Sequence, residues 1–408
     1  MKIFKFYILL TVLGLVACLL GCSSNQKKTT TDKAEDVTPP LTSTILSEDT
    51  AIWYEGEIPL LFDYKKNYPE TAIRLSDLAD VSYLPLETRD TVLLRLRGTC
   101  YGNEYFITQE AIYMQEEQSE LYIFGKDGRF IRKISKRGGG PGEYSYITSF
   151  AVDTLQRVIF VQDENRKRGH TNVYDLQGNF LWQFSIRANE IVILNDSLLL
   201  TYNRRANKQY PFAVVRKADG SEVRKLPIRF YEDFPVDVEY LAYGNLVTTP
   251  KGALIGNLAN DTIFEVRKDL SIRPRIVDQS NYGTPYAQVH PTIETSRYLM
   301  FYILCARNYK VSVKEHFYIY DKKEGKIFRM KDYTDNSYWR LMDDYPHLIN
   351  WEKAQNPTVA VRSRVVDALQ EANGKHGSPE LRRLIETLKD DDNPVLEIMQ
   401  FHPVDNIE

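Results

Sequence analysis

The sequence predicts an all-β protein, a six-bladed β-propeller with a small C-terminal helical insertion. Three observations predict it. Five hairpins of β-branched and aromatic residues follow one another within residues 100–335. Their turns recur about every 40 to 60 residues, the period of a four-stranded blade and not of a helical solenoid. One further strand candidate remains at each end of this body, and two such ends close a ring by sharing a blade.

Short apolar runs separated by polar turns give the hairpins. Leu121–Phe124 turns through Lys126-Asp127-Gly128-Arg129 into Phe130–Ile134. Asp-Gly in this setting predicts a tight primed turn, because glycine accepts positive φ. Val173–Asp175 turns at Gln177-Gly178-Asn179 into Phe180–Trp182, and Phe212–Val215 turns at Asp219-Gly220 into Val223. Ile263–Val266 turns at Lys268-Asp269 into Ile272, and Phe317–Asp321 turns at Glu324-Gly325 into Ile327-Phe328. Val158–Gln162 and Ile191–Leu194 lie between hairpins, so four strands per repeat fit. A β-sandwich, or a pair of β domains, is the alternative arrangement.

Val81–Leu86 is the strand candidate at the N-terminal end, and residues 394–402 hold the closing strand. Unshared ends leave raw sheet edges, so five internal blades and one shared blade make six. Residues 357–390 read as a helical insertion. Val361, Val365, Ala368 and Leu369 recur at helical spacing, and Ser378-Pro379 is an N-cap and first-turn pair. Leu381, Leu384, Ile385 and Leu388 form one stripe. The insertion either packs on the propeller or docks a partner.

The N-terminus sets the expected compartment. Lys2 and Lys5 precede an uncharged run from Phe6 to Leu20. That run is too short to span a ~30 Å hydrocarbon core and fits the apolar region of a signal peptide, residues 1–21. It closes with Leu19-Leu20-Gly21-Cys22, which resembles a bacterial lipobox and implies lipidation at Cys22. Two or more acyl chains hold a protein stably on a membrane without crossing it. Residues 22–50, rich in Thr, Ser, Lys and Pro, read as a flexible tether, and residues 51–408 as the propeller. The Ser-Ser-Asn-Gln-Lys-Lys after Cys22 has no aspartate beside the cysteine and no acidic cluster. This resembles the pattern of lipoproteins sorted to the outer membrane and lacks the acidic cluster of a Bacteroides-type surface-export signal; the resemblance implies the outer membrane, facing the periplasm, with surface exposure still open.

Composition limits function. Of 408 residues, 26% are charged with a net charge of −3, which excludes a strongly basic nucleic-acid binder. The four cysteines are too few for a disulfide scaffold. Cys100 and Cys305 either pair in an oxidising envelope or remain as two thiols.

Residues 129–153 contain Lys-Arg-Gly-Gly-Gly-Pro-Gly-Glu-Tyr. Together with Leu75–Asp80, Pro85-Leu86-Glu87-Thr88 and Asp392-Asn393-Pro394-Val395-Leu396, they resemble the six-bladed β-propeller lipoproteins of Bacteroides-type bacteria. The resemblance spans most of residues 70–402. It implies the fold and the lipid anchor and little about activity. The repeat is also similar to NHL repeats, through a glycine-rich loop, Asp163-Glu164-Asn165-Arg166 and Val173-Tyr174-Asp175. Around Asn203-Arg204-Arg205 and Asn257 that pattern is degenerate.

Candidate ligand-binding residues are Arg137, Glu143, Tyr144, Arg166, Arg168 and His170. Four glycines beside Lys136 and Arg137 either expose N–H groups to an anion or make a tight connection between blades. The loop is no P-loop, because the Gly-Lys-Ser/Thr ending is missing. The basic run Arg166-Lys167-Arg168 with His170 either meets an acidic glycan or is a solvated loop. No catalytic constellation and no metal-ligand spacing is present, and no cofactor is expected. The 27 tyrosines suit either sugar stacking or ordinary strands.

The expectation is a monomeric, lipid-anchored, non-enzymatic module that binds a glycan or an envelope protein. The alternative is a carbohydrate-active lyase or hydrolase working at the central channel.

Overall fold

Six small sheets follow one another around a ring. The computed structural model describes residues 58–71, 78–94, 104–116, 120–163, 169–203, 210–228, 246–256, 261–279, 286–307, 310–311, 316–330, 353–373 and 379–402. Blade one is built from Glu104–Ile107, Ala111–Glu116, Glu120–Gly125 and Phe130–Ile134. Blade two runs Ile147–Asp153, Val158–Asp163, His170–Asp175 and Phe180–Phe184. Blade three runs Glu190–Ile193, Leu198–Tyr202, Phe212–Arg216 and Glu222–Lys225. Blade four runs Leu246–Thr249, Gly252–Ile255, Thr262–Arg267 and Ile272–Asp278. Blade five runs Tyr286–Glu294, Tyr298–Arg307, His316–Asp321 and Lys326–Met330. Within each blade successive strands pair antiparallel. The first strands of blades one to five approach their neighbours around the axis.

Blade six closes the ring. Val359–Arg364 pairs with Val395–Phe401, and that strand pairs with Ala79–Pro85 from the other end of the chain. Asn393 locks the junction. Its side-chain oxygen accepts the Leu94 N–H at 2.8 Å, and its amide donates to the Glu87 and Val92 carbonyls at 2.7 and 2.6 Å. Two of the segments that carry the family resemblance, around Glu87 and Asn393, are thus bonded to each other.

Strand residues alternate between two faces, and here both faces are buried. Val152, Ile159 and Val161 fill the core between blades one and two, while Ala151, Val158 and Phe160 fill the core between blades two and three. Equivalent cores separate every other pair of neighbouring blades, including the pair across the closure. This explains why the strands read as continuous apolar runs.

Two expectations need correction. Val361 and its neighbours are not helical. Val359–Arg364 is a strand, because six residues in register with Val395–Phe401 override a helical spacing of apolar side chains. The helices are Val366–Asn373 and Pro379–Ile385, and they cover Val395 and Tyr83 of blade six with Leu369, Leu381 and Ile385. The Asp127-Gly128 turn is not primed. Gly128 alone has positive φ, its N–H bonds the Gly125 carbonyl, and Gly125 N–H bonds the Arg129 carbonyl. This is a type I turn followed by a left-handed residue. Gly178 holds the same place in blade two and Leu270, at φ 69°, in blade four, while Gly220 closes a turn one residue longer in blade three.

The segment before blade six lies along the rim. Leu60–Phe62 adds in parallel to the outer strand of blade four, and Glu70–Thr71 does so on blade five.

Candidate functional site

Antiparallel strands place alternate connections at opposite ends of the ring. The glycine-rich stretch between blades one and two shares one end with the connection between the second and third strands of blade two. Arg137, Glu143, Tyr144 and His170 therefore lie at the same end. Arg166, Arg168, Cys22 and Cys100 fall outside the described residues. Cys305 sits opposite Ala287 in the register of blade five.

The glycine-rich loop holds an anion of its own. Glu143 Oε2 accepts the Gly140 N–H at 2.8 Å, and the Glu143 N–H bonds the Gly140 carbonyl at 3.0 Å. Tyr144 is buried with its hydroxyl donating to the Ile134 carbonyl at 2.8 Å, and burial pushes its phenol up to about 12. Tyr174 donates to the Gly142 carbonyl at 2.9 Å, and Asn172 to the Glu143 carbonyl at 2.9 Å. Gly142 has φ +71°, and a Cβ there would meet Phe180 at 2.5 Å. Asp163, fully buried, accepts the Ser145 and Tyr146 N–H groups at 3.0 and 3.2 Å, and His170 Nε2 lies 3.4 Å from it. Of the predicted residues, Glu143, Tyr144 and His170 come together through these bonds. They tie the connection to blade two, while Arg137 points to solvent.

A cavity of about 280 Å³ opens at the opposite end, beside the axis. It is lined by turns of blades two, three and four, by Phe106 of blade one, and by Gln355. Two ionisable groups face each other in it. Lys217 Nζ lies 2.5 Å from Asp153 Oδ2, both side chains almost fully buried. The other Asp153 oxygen accepts the Leu155 and Gln156 N–H groups at 3.0 and 2.9 Å. Asn195 of blade three donates to the Lys268 carbonyl of blade four at 2.8 Å.

The cavity floor is a chain of bonds between blades. Glu104 accepts from Ser149 Oγ and the Phe150 N–H of blade two at 2.9 and 3.2 Å. Gln355 donates to Glu104 at 2.8 Å and also to the Phe150 carbonyl. Thr248 of blade four donates to the Gln355 carbonyl at 2.7 Å. Glu190 repeats the Glu104 device one pair of blades further on, accepting the Leu246 N–H at 3.3 Å. Sequence reading missed Asp153, Lys217 and Gln355. Each sits beside an unremarkable turn or strand end, and only the ring brings them together.

Among the described residues no group of three His, Cys, Asp or Glu side chains is placed to hold a metal ion. No helix among them is long and apolar enough to cross a membrane.

The model of a family described as a domain of unknown function, DUF4934, matches residues 61–400. The chain belongs to the DUF4934 family. A Bacteroides fragilis protein named as exported shares its fold, with a TM-score of 0.62 at 17% identity over 85% of this chain and 100% of that one. A DUF4221-family protein of Bacteroides vulgatus gives a TM-score of 0.46 at 11% identity, over 80% and 98% of the two chains. BamB of Moraxella catarrhalis gives 0.36 at 13%, over 62% and 67%. No curated protein matches the chain significantly. For this DUF4934 member, the match over residues 61–400 spans all six blades.

Proposed function

We propose that the chain is a lipid-anchored β-propeller of the bacterial envelope, facing the periplasm from the outer membrane. In this reading it binds a short polar ligand, such as part of a glycan, in the axial cavity without converting it. The lipobox at Cys22 and the exported Bacteroides structure support the location. One observation carries the choice of binding over catalysis. Asp153 and Lys217 neutralise each other at 2.5 Å, and Asp153 also caps a turn. A general acid or base needs a proton-transfer group that can reach the substrate, and this pair is engaged with itself. Phe106 and Pro250 add apolar surface beside polar edges, a combination that suits a sugar ring.

Thermal unfolding of the full chain against glycans and glycan fragments tests the binding, because a ligand of the folded state raises the melting temperature. A rise with one glycan class, abolished by Thr249→Trp in the cavity wall, is the expected result. Turnover of that glycan would replace the reading with the carbohydrate-active one. Cys22→Ser, followed by mass spectrometry for acyl chains, tests the anchor separately.

A further inference from the structure

The rim of the ring is treated differently from blade to blade. On blades four and five the chain covers the outer edge with its own parallel strands. Phe62 of the first is fully buried, packed edge-on to Phe301 and Tyr318 at 5.0 and 4.9 Å. The outer strand of blade one carries Arg132 and Lys133, and that of blade three carries Glu222, Arg224 and Lys225. Charge on an edge strand discourages further pairing. The outer strand of blade two is Phe180-Leu181-Trp182-Gln183-Phe184. It has no charge and no proline, and among the described residues no strand covers it.

A second observation falls on the same strand. Blades one, two and three each carry a bulge in the outer pair, at Ile131, Leu181 and Val223. These apolar residues are 45%, 45% and 37% exposed. The residue after each bulge is Arg132, Trp182 and Arg224. The two arginines tie their blades to the next, donating to the Leu176 and Leu270 carbonyls at 2.9 and 3.0 Å. Trp182 makes no such tie, and its Nε1–H is buried without an acceptor. Blade two thus has the one outer strand of these three that is both unguarded by charge and unpinned at this position.

We propose that the outer edge of blade two is a docking site for an extended, uncharged segment of a partner protein. The segment adds as a fifth strand parallel to Phe180–Phe184, in the way Leu60–Phe62 lies on blade four. Its apolar side chains cover Leu181. This site is on the rim, away from the axial cavity, and stands whether or not that cavity binds a glycan.

The test is a displayed library of random nine-residue peptides selected on the full chain in detergent. The expected result is enrichment of uncharged, apolar peptides whose binding weakens more than about tenfold with Leu181→Lys or Trp182→Arg. Ile131→Lys and Val223→Lys, at the matching bulges, leave it unchanged, and all four variants keep the wild-type melting temperature within a few degrees. Enriched peptides indifferent to Leu181→Lys would overturn the proposal, as would no enrichment. A concentration-dependent dimer in sedimentation, lost with Leu181→Lys, would assign the edge to a second copy and also overturn it.

Discussion

The carboxylate of Glu143 lies 2.8 Å from the backbone N–H of Gly140, inside the glycine-rich loop that precedes blade two. A loop of this composition invites the expectation of a bound anion. Here one of the loop's N–H groups, that of Gly140, is given to the loop's own glutamate. A Cβ at Gly138 would lie 2.0 Å from its Oε2, so a side chain there would push the carboxylate aside.

Glu143→Ala should therefore loosen the connection between blades one and two. The expected loss is about 1–2 kcal/mol, the worth of a charge-assisted hydrogen bond and its packing. Chemical denaturation measures it. Sulfate should restore part of the loss in the variant and do nothing comparable for the wild type.

Two turn glycines with nearly the same dihedral should behave differently. Gly128 has φ +79°, and a Cβ there would lie 2.1 Å from the Pro85 carbonyl oxygen. Gly325 has φ +65° with nothing within 4 Å. Gly325→Ala should cost only the left-handed backbone penalty, about 1–2 kcal/mol. Gly128→Ala should cost at least about 2 kcal/mol more, because the Pro85 end of blade six must move. Melting temperatures of the two variants decide.

Acid should unfold the protein partly through Glu397. Burial pushes its carboxyl up, but Arg362 and Arg364, with Nε atoms 2.9 and 3.2 Å from Oε2, outweigh burial and hold it below the usual carboxylate range. A depressed folded value means that the stabilisation is full above the ordinary carboxylate pKa. It is lost as pH falls through the folded value. Glu397→Gln should flatten this acid limb and cost about 3–5 kcal/mol at neutral pH, since the buried Arg362 and the partly buried Arg364 lose their counter-charge. Denaturation as a function of pH, compared between variant and wild type, measures both.

His290 acts in a higher window. Its ring is stacked on Tyr302 at 4.9 Å, and burial pushes the imidazole down to about 3. The unfolded chain binds the proton more readily, so stability declines as pH drops below the ordinary imidazole value of about 6.5. His290→Phe should keep the stack and remove this slope between about pH 6.5 and 4. An unchanged slope would mean that the ring is not buried in the folded state.

The five hairpins were legible in the sequence because strand, turn and strand are neighbours along the chain. Phe130–Ile134 and Phe180–Phe184 needed only alternation and a glycine two residues before them. The closing of the ring was legible as well, because unmatched strands at two ends have few ways to bury their edges. Val361 misled, because a helical spacing of apolar residues is also met by a strand buried on both faces.

The sequence by itself determined an all-β repeat, its blade count and the segments that join at Asn393, since periodicity and turn chemistry are local properties. Only the tertiary structure decided what the polar residues do. Glu143 braces its own loop, because the chain returns at Gly140 and offers its N–H to the carboxylate. Asp153 and Lys217 came to share the axial cavity, because blades two and three meet there, 64 residues apart in the chain. The physical reason is that a charged group's role is set by what lies within a few ångströms, and in a propeller those neighbours arrive from other blades.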